Sequence, residues 1–74
     1  MPVVQVLSPW PGRVAELHVE TGANVTAGQD LVTIESMKIL TPVPSEHDGR
    51  VTAMHVEVNS FVDERDPLVS IEIP

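Results

Sequence analysis

The sequence predicts an all-β protein, a flattened sandwich or barrel in which two similar units are related by a pseudo-twofold axis. Three observations support this fold class: strand-forming residues dominate the apolar fraction, the chain repeats itself, and no window favours a long helix. Of 74 residues, 42% are hydrophobic, but only Trp10 and Phe61 are aromatic. Val, Ile and Leu must therefore form the core of one small domain covering residues 1–74, and the β-branched types favour strands.

An internal repeat spans the chain. A shift of 37 positions aligns Gly12–Glu35 with Gly49–Glu72 without a gap, and 11 of these 24 positions are identical. The repeat units are residues 1–37 and 38–74. Since a unit this small cannot bury a sheet face alone, we expect the two units to pack face to face. The Met37–Lys38 junction is the dyad mate of the chain termini, so we expect a tight, exposed turn there. If the two mates lie at opposite ends of the sandwich, this turn projects away from the termini.

Two types of segment in each unit predict strands. Residues alternate between apolar and polar from Leu17 to Glu20, and again from Met54 to Val58. This period of two is typical of a half-buried strand. The runs Leu31–Glu35 and Leu68–Glu72 are rich in residues that favour strands.

The turns between these strands are also repeated. Gly22 aligns with Asn59, and these two residue types tolerate a left-handed backbone best. We therefore expect the same turn in both units. Gly and Pro interrupt every window that is long enough for a helix.

The charge of the chain excludes several classes of partner. Eleven acidic residues against four basic ones give a formal net charge of −7. Such a surface is unsuited to a nucleic-acid backbone or an anionic membrane surface. No segment approaches the roughly 18 apolar residues of a membrane helix. The first residues lack the basic and apolar segments of a secretory signal, so we expect a cytoplasmic protein. There are no cysteines, which excludes disulfides and thiolate metal sites.

No arrangement of residues predicts catalysis or metal binding. His18 and His55 are dyad mates, and the repeat explains their coincidence without a metal. His47 falls in a turn that we expect to be solvated. The acidic cluster Asp63–Asp66 predicts a solvated loop, with docking to a basic partner as the alternative. Because a thin sandwich also leaves little room for a pocket, we expect no catalytic residue and no metal, and not an enzyme.

The dipeptide Met37-Lys38 breaks a local rule. A tight hairpin turn favours pairs such as Asn-Gly, because its central residues need positive φ. Met-Lys also places an apolar thioether at an exposed tip. Such a departure without visible compensation indicates a functional constraint. Lysine suits a tether, since its deprotonated amine attacks an activated acyl group to give a stable amide on a long, flexible stem.

Around this turn the sequence resembles the biotinyl/lipoyl attachment family, and its biotinyl branch more closely. Glu35-Ser36-Met37-Lys38-Ile39 is similar to the Glu-Ala-Met-Lys-Met box of biotin carboxyl carrier domains. Ser8-Pro9-Trp10-Pro11-Gly12 resembles the family's Ala-Pro-Met-Pro-Gly turn. Further residues match at the family's usual spacing, namely Val19, Gly22, Val25, Gly28, Leu31, Val43, Ser45, Gly49 and Val51.

This resemblance implies a flattened hammerhead barrel of two four-stranded antiparallel sheets with covalent biotin on Lys38. It implies that an ATP-using biotin protein ligase modifies Lys38 and recognises Glu35, Ser36, Met37 and Ile39. The protein would then be a biotin carboxyl carrier of a biotin-dependent carboxylase or decarboxylase, and it would shuttle carboxyl groups between biotin carboxylase and carboxyltransferase sites. The gapless repeat leaves no room for the thumb insertion of some acetyl-CoA carboxylase carriers.

Two alternatives stay open. One is a lipoyl carrier of a dehydrogenase-type complex, with lipoate on Lys38. Lipoyl members typically carry Asp-Lys-Ala, however, so Met37 and Ile39 favour biotin. The other is an unmodified interaction module, like the lipoyl-like segments of transport adaptors. Those segments are inserted between long helices, which this sequence does not predict. The termini lack a Pro- or Ala-rich linker, so we expect a free-standing small protein.

Five residues depart from the family pattern, and two of them, Ser36 and Ile39, are conservative changes within the box. Trp10 stands where a Met is usual, and we expect it to pack on the turn or to contact a partner. Pro42 and Pro44 remove two amide donors from the same side of one strand. We therefore expect that side of Leu40–Pro44 to be unpaired or bulged. The two prolines then either protect the edge of the sheet or impair recognition by the ligase.

Overall fold

The computed structural model describes residues 1–74 and contains eight strands and no helix. It thus has no helical segment of the length and hydropathy that crossing a membrane requires. The all-β prediction is confirmed. The strands in chain order are β1 (Val3–Leu7), β2 (Gly12–Leu17), β3 (Asn24–Val25), β4 (Asp30–Ser36), β5 (Ile39–Pro44), β6 (Gly49–Met54), β7 (Phe61–Val62) and β8 (Pro67–Glu72).

The strands form two four-stranded antiparallel sheets, as predicted. Their orders are β1-β8-β6-β3 and β5-β4-β2-β7. Each sheet contains two strands of each repeat unit, because β1 and β3 lie beside strands of the second unit, and β5 and β7 beside strands of the first. The two sheets face each other, but the two units do not correspond to the two sheets. The expectation that one unit packs face to face against the other is therefore wrong, because strands of both units interleave within each sheet.

The core follows the repeat. Eleven buried hydrophobic residues form it, and all of them except Val43 fall into dyad pairs. The pairs are Val14/Val51, Val25/Val62, Leu31/Leu68, Val32/Val69 and Ile34/Ile71. The four buried polar residues also pair, as Ser8/Ser45 and Thr33/Ser70. Since burying a Val, Leu or Ile side chain stabilises a fold by about 1.5–3 kcal/mol, the positions that the repeat preserves are those that hold the sheets together.

The strands predicted at Leu17–Glu20 and Met54–Val58 are placed too late in the chain. The observed strands end at Leu17 and Met54. Burial still alternates after Leu17, as the pattern predicts. Residues 18–20, however, lie beyond the end of β2 and are not part of a strand. After Leu17 the chain crosses to the opposite sheet, where the amides of Gly22 and Val51 bond to the carbonyls of Val51 and Ala23 at 2.8 and 2.9 Å. Alternating burial does not distinguish such a crossing from a paired strand.

The predicted turn equivalence is confirmed. Gly22 has φ 96° and Asn59 has φ 76°, so both occupy the left-handed region. The next turn repeats in the same way, with Gly28 at φ 92° and Arg65 at φ 72°.

Lys38 and the chain termini lie at opposite ends of a body 36 Å long. In one sheet, β2 begins beside the hairpin and runs away from it to Leu17. The chain then crosses to Ala23, which bonds to Val51 in the other sheet. Val51 is next to Arg50, whose strand partner is Glu72 near the C-terminus. The end of the sandwich away from Lys38 is therefore the end that carries the termini. The two dyad mates thus lie at opposite ends, and the turn projects away from the termini.

Two glycines allow the strands to approach closely. A Cβ on Gly12 would lie 2.6 Å from both the Glu35 carbonyl oxygen and Ile34 Cγ2. At the dyad position, a Cβ on Gly49 would clash with the Glu72 carbonyl oxygen and lie 2.7 Å from Ile71 Cγ2. Glycine is required at both positions by space, since neither has positive φ.

The two prolines of β5 occupy positions whose backbone nitrogens point away from the neighbouring strand β4. β5 is an edge strand that pairs only with β4. Ile39 pairs with Ser36 at the hairpin, and hydrogen-bonded pairs then alternate along the ladder. Pro42 and Pro44 therefore occupy positions whose amides point outward. The ladder is also irregular between Asp30 and Val32. The expectation of an unpaired side is confirmed.

Gly49→Ala should destabilise the fold by about 1–3 kcal/mol, because a methyl group there is forced into the backbone of β8. Urea unfolding followed by tryptophan fluorescence measures this. Ala27→Ser, in an exposed loop, is the matched control and should stay within about 0.5 kcal/mol of the wild type. Equal stability of Gly49→Ala and the wild type would contradict the close approach.

Candidate attachment site

The β4–β5 connection is a two-residue hairpin turn. Ser36 pairs directly with Ile39, and the two residues between them have φ 53° (Met37) and φ 66° (Lys38). Positive φ at both central positions is the type I′ arrangement. Neither residue is Gly, Asn or Asp, so each carries a left-handed strain of about 1 kcal/mol or more. The predicted tight turn is confirmed, and its strain is localised at the candidate site.

The turn presents its side chains to solvent. Met37 is 91% exposed and Ile39 is 65% exposed. Lys38 is exposed as well, and it takes part in neither of the two salt bridges. Its amine is thus free to meet an incoming acyl group. An unpaired lysine on a rigid, exposed turn fits a covalently attached group, which needs an accessible nucleophile rather than a pocket.

An ion pair joins the strands below the turn. Arg13 Nε lies 3.1 Å from Glu35 Oε1, and Arg13 Nη1 lies 2.7 Å from Asn59 Oδ1. These contacts connect β2, β4 and the turn before β7. At the other end the dyad-related Arg50 Nη2 lies 3.6 Å from Glu72 Oε1, without a third partner. A partly exposed ion pair contributes little stability, so its main effect is to orient the groups beneath the hairpin.

The structure brings the five residues of the predicted box together in one hairpin. Glu35 and Ser36 are half-buried at the end of β4, whereas Met37, Lys38 and Ile39 are exposed. Glu35 is the one whose side chain is already bonded, through Arg13. The roles of these residues in attachment and ligase recognition stay predictions.

A shallow groove of about 450 Å³ beside the hairpin was not predicted. It is lined by Pro11, Gly12, Arg13, Glu35, Ser36, Met37, Lys38 and Phe61. Phe61 is far from Lys38 in sequence, and strand pairing of β7 with β2 brings it there. A comparison of the two repeat units at surface positions could have identified Phe61 as unusual, because its dyad mate is the polar Asn24.

The other candidates have structural roles or lie away from the turn. His18 Nε2 and Thr33 Oγ1 lie 2.6 Å apart, and His55 Nε2 and Ser70 Oγ lie 2.7 Å apart. No group of three or more His, Asp or Glu residues is placed to hold a metal ion. His47 is exposed, as predicted.

Trp10 lines a second groove between the edge strands β1 and β5. This groove has a volume of about 470 Å³ and is also lined by Val6, Pro42 and His47. The Ser8 hydroxyl donates a hydrogen bond of 2.7 Å to the Trp10 carbonyl and so fixes the turn before β2. Lys38 does not line this groove.

The hairpin and the surrounding sheets match a known family. The model of the family described as "Biotin-requiring enzyme", of the biotin/lipoyl type, matches residues 4–71. The chain belongs to the biotin/lipoyl family. The resemblance inferred from the sequence is thereby confirmed. This is a family of domains that bind biotin or lipoate covalently, and it includes the biotin carrier domains of carboxylases.

Two solved structures contain the same biotin/lipoyl fold. Urea carboxylase from Kluyveromyces lactis superposes with a TM-score of 0.90 at 24% identity, over 97% of this chain and 6% of that one. A single-chain, multi-domain long-chain acyl-CoA carboxylase superposes with a TM-score of 0.90 at 26% identity, over 97% of this chain and 7% of that one. The chain thus spans a small fraction of either carboxylase. No curated protein matches the sequence.

Replacing the turn residues by the pair that a type I′ turn favours should stabilise the protein. We expect the double variant Met37→Asn, Lys38→Gly to gain about 1–2 kcal/mol in the free energy of unfolding, since Asn and Gly relieve the left-handed strain. Urea denaturation measures the change. Lys38→Arg keeps the strain and should match the wild type. A destabilised double variant would contradict the strained-turn interpretation.

Proposed function

We propose that this protein is a biotin carboxyl carrier whose Lys38 is biotinylated by a biotin protein ligase. The observation that supports this most directly is the position of Lys38, unpaired and exposed on a strained two-residue turn. Family membership narrows the attached group to biotin or lipoate. Met37 and Ile39, which flank the lysine, are similar to the biotinyl box and favour biotin.

Lys38 supplies the nucleophile for its own modification. With biotin activated by ATP as an acyl-adenylate on the ligase, Nζ attacks the acyl carbon. The new C–N bond replaces the C–O bond to the leaving AMP, and the amine loses a proton to solvent. The product is a neutral amide, so no charged partner on this chain is needed to hold it. The ligase supplies the adenylate, and this chain supplies the accessible amine.

The folded body keeps the modified lysine mobile and its base rigid. When bound, biotin supplies a ureido group that accepts and releases a carboxyl group. The Arg13–Glu35–Asn59 contacts hold the strands below the turn, while the Lys38 stem stays free. Tethering raises the effective concentration of the arm at each partner site without requiring strong binding. The partners that we propose are biotin carboxylase and carboxyltransferase, with the protein in the cytoplasm and no catalytic residue of its own.

Support for the carboxylase setting comes from the neighbours. Both solved structures named above are described as carboxylases. The acceptor of the carboxyl group is set by the carboxyltransferase partner rather than by this chain. A lipoyl carrier, with lipoate on Lys38, and an unmodified interaction module remain as outcomes of the test below.

Incubation with biotin, ATP and a biotin protein ligase should add one biotinyl group to the wild type. Intact mass measurement should show the increment in the wild type and its complete loss in Lys38→Arg. A parallel reaction with lipoate and a lipoate ligase should leave the mass unchanged. A lipoyl increment alone would show a lipoyl carrier, and no increment with either enzyme would contradict both carrier proposals.

The residues that flank Lys38 should determine the choice of group. We expect the double variant Met37→Asp, Ile39→Ala, which has the lipoyl-type flanks, to be biotinylated at least about tenfold more slowly at equal ligase concentration, a loss of about 1.4 kcal/mol in transition-state binding. Both side chains are exposed, so the fold should be unaffected. Leu7→Ala, an exposed apolar residue on β1, is the control. Unchanged biotinylation would contradict a role for these flanks.

A further inference from the structure

The internal repeat provides a control for surface residues, because both ends of the sandwich have the same backbone plan. Phe61 is 83% exposed, yet its dyad mate is the polar Asn24. The pairing of β7 with β2 does not require the aromatic ring, since β3 pairs with β6 in the same way through Asn24. At this pair of dyad-related positions, the large apolar side chain is therefore present only at the end that carries Lys38.

Phe61 belongs to a surface that continues to the hairpin. Strand pairing places Phe61 opposite Arg13, Arg13 opposite Glu35, and Glu35 opposite Leu40. Directly opposed residues share one face of a sheet. Leu40 is 57% exposed, and the Arg13–Glu35 ion pair between the two apolar side chains satisfies its own charges. We call Phe61, Met37, Ile39 and Leu40 the apolar collar of Lys38.

The reach of the lysine arm indicates which partner covers this collar. An unmodified lysine extends about 6 Å from its Cα. An enzyme that forms a bond to Nζ must therefore approach the turn closely and cover the adjoining groove, which Lys38 and Phe61 both line. An enzyme that acts on the distal end of the modified arm works farther from the turn and need not contact Phe61.

The charge next to the collar is complementary to a basic partner. The loop Asp63–Asp66 follows β7 directly. It holds three acidic residues and one basic residue, Arg65, and Asp63 and Glu64 are exposed. The dyad-related loop, Thr26–Gln29, contains no acidic residue. The acidic loop is therefore another feature confined to one unit, and it adjoins the strand that carries Phe61. A partner with an apolar centre and a basic rim fits both features.

We propose that the apolar collar, with Phe61 as its main anchor, is the docking surface for the ligase that acylates Lys38. This inference rests on the proposed function, because it assumes that Lys38 is acylated by a protein ligase. It goes beyond the box around Lys38 by assigning a recognition residue on a different strand, β7. An exposed aromatic side chain that a partner covers is typical of an interface hot spot.

The test compares Phe61→Asn with the wild type as substrates for biotin protein ligase. The substitution installs the residue that the repeat tolerates at the dyad position, so the thermal midpoint should be unchanged. We expect kcat/KM for biotinylation to fall at least about tenfold, as for loss of a hot spot. Val3→Asn, which alters a side chain 54% exposed at the opposite end, is the matched control and should behave as the wild type.

A second measurement separates the ligase from later partners. Phe61→Asn is biotinylated to completion with excess ligase and then offered to biotin carboxylase, where its rate should equal that of the biotinylated wild type. If Phe61→Asn is biotinylated with the kinetics of the wild type, the proposed docking surface is wrong. It is also wrong if the variant loses as much rate with biotin carboxylase as it loses with the ligase. A wild type that accepts no biotin would overturn the proposed function itself, and the inference with it.

Discussion

Each sheet depends on strands from both halves of the chain. β5 completes the sheet of β4 and β2, and β1 completes the sheet of β8 and β6. The close approaches at Gly12 and Gly49 tie the ends of β4 and β8 to this arrangement. Neither half can form its core without the other, so the sandwich forms as one cooperative unit. The position of Lys38 follows, because the chain has to turn between β4 and β5 at the point where one repeat unit ends.

The repeat explains why much of the fold could be predicted from sequence. Buried positions such as Ile34 and Ile71 must keep their chemistry in both units, and this leaves a visible pattern. The turn at Met37–Lys38 could be located in the same way. The interleaving of strands from the two units could not be predicted, because the alternation of apolar and polar residues along a strand does not identify the strand beside it. For the same reason, the stretch after Leu17 was predicted as a strand although it crosses between sheets. The contact of Arg13 with Asn59 depends on pairing across the sheet and leaves no local pattern.

The candidate site combines local strain with a rigid support. Two non-glycine residues hold positive φ at the hairpin, which a sequence selected for stability alone would avoid. The Arg13 side chain meets both Glu35 and Asn59 directly below. At the other end the dyad mate of Asn59 is Gly22, which has no side chain to bond to Arg50. The two units have therefore diverged on the surface around Lys38 while keeping a common core.

The two ends of the chain meet at the pole opposite Lys38. The Ile73 amide donates a hydrogen bond of 2.8 Å to the Pro2 carbonyl, so β1 begins where β8 ends. A polypeptide joined to either end would leave the body from the same place, and a larger protein could accept the whole sandwich within one of its loops without separating the flanking segments. Lys38 would point away from the attached protein whether the sandwich is joined at its N-terminus, joined at its C-terminus or inserted into a loop. The same fold can therefore serve in chains of different domain architecture.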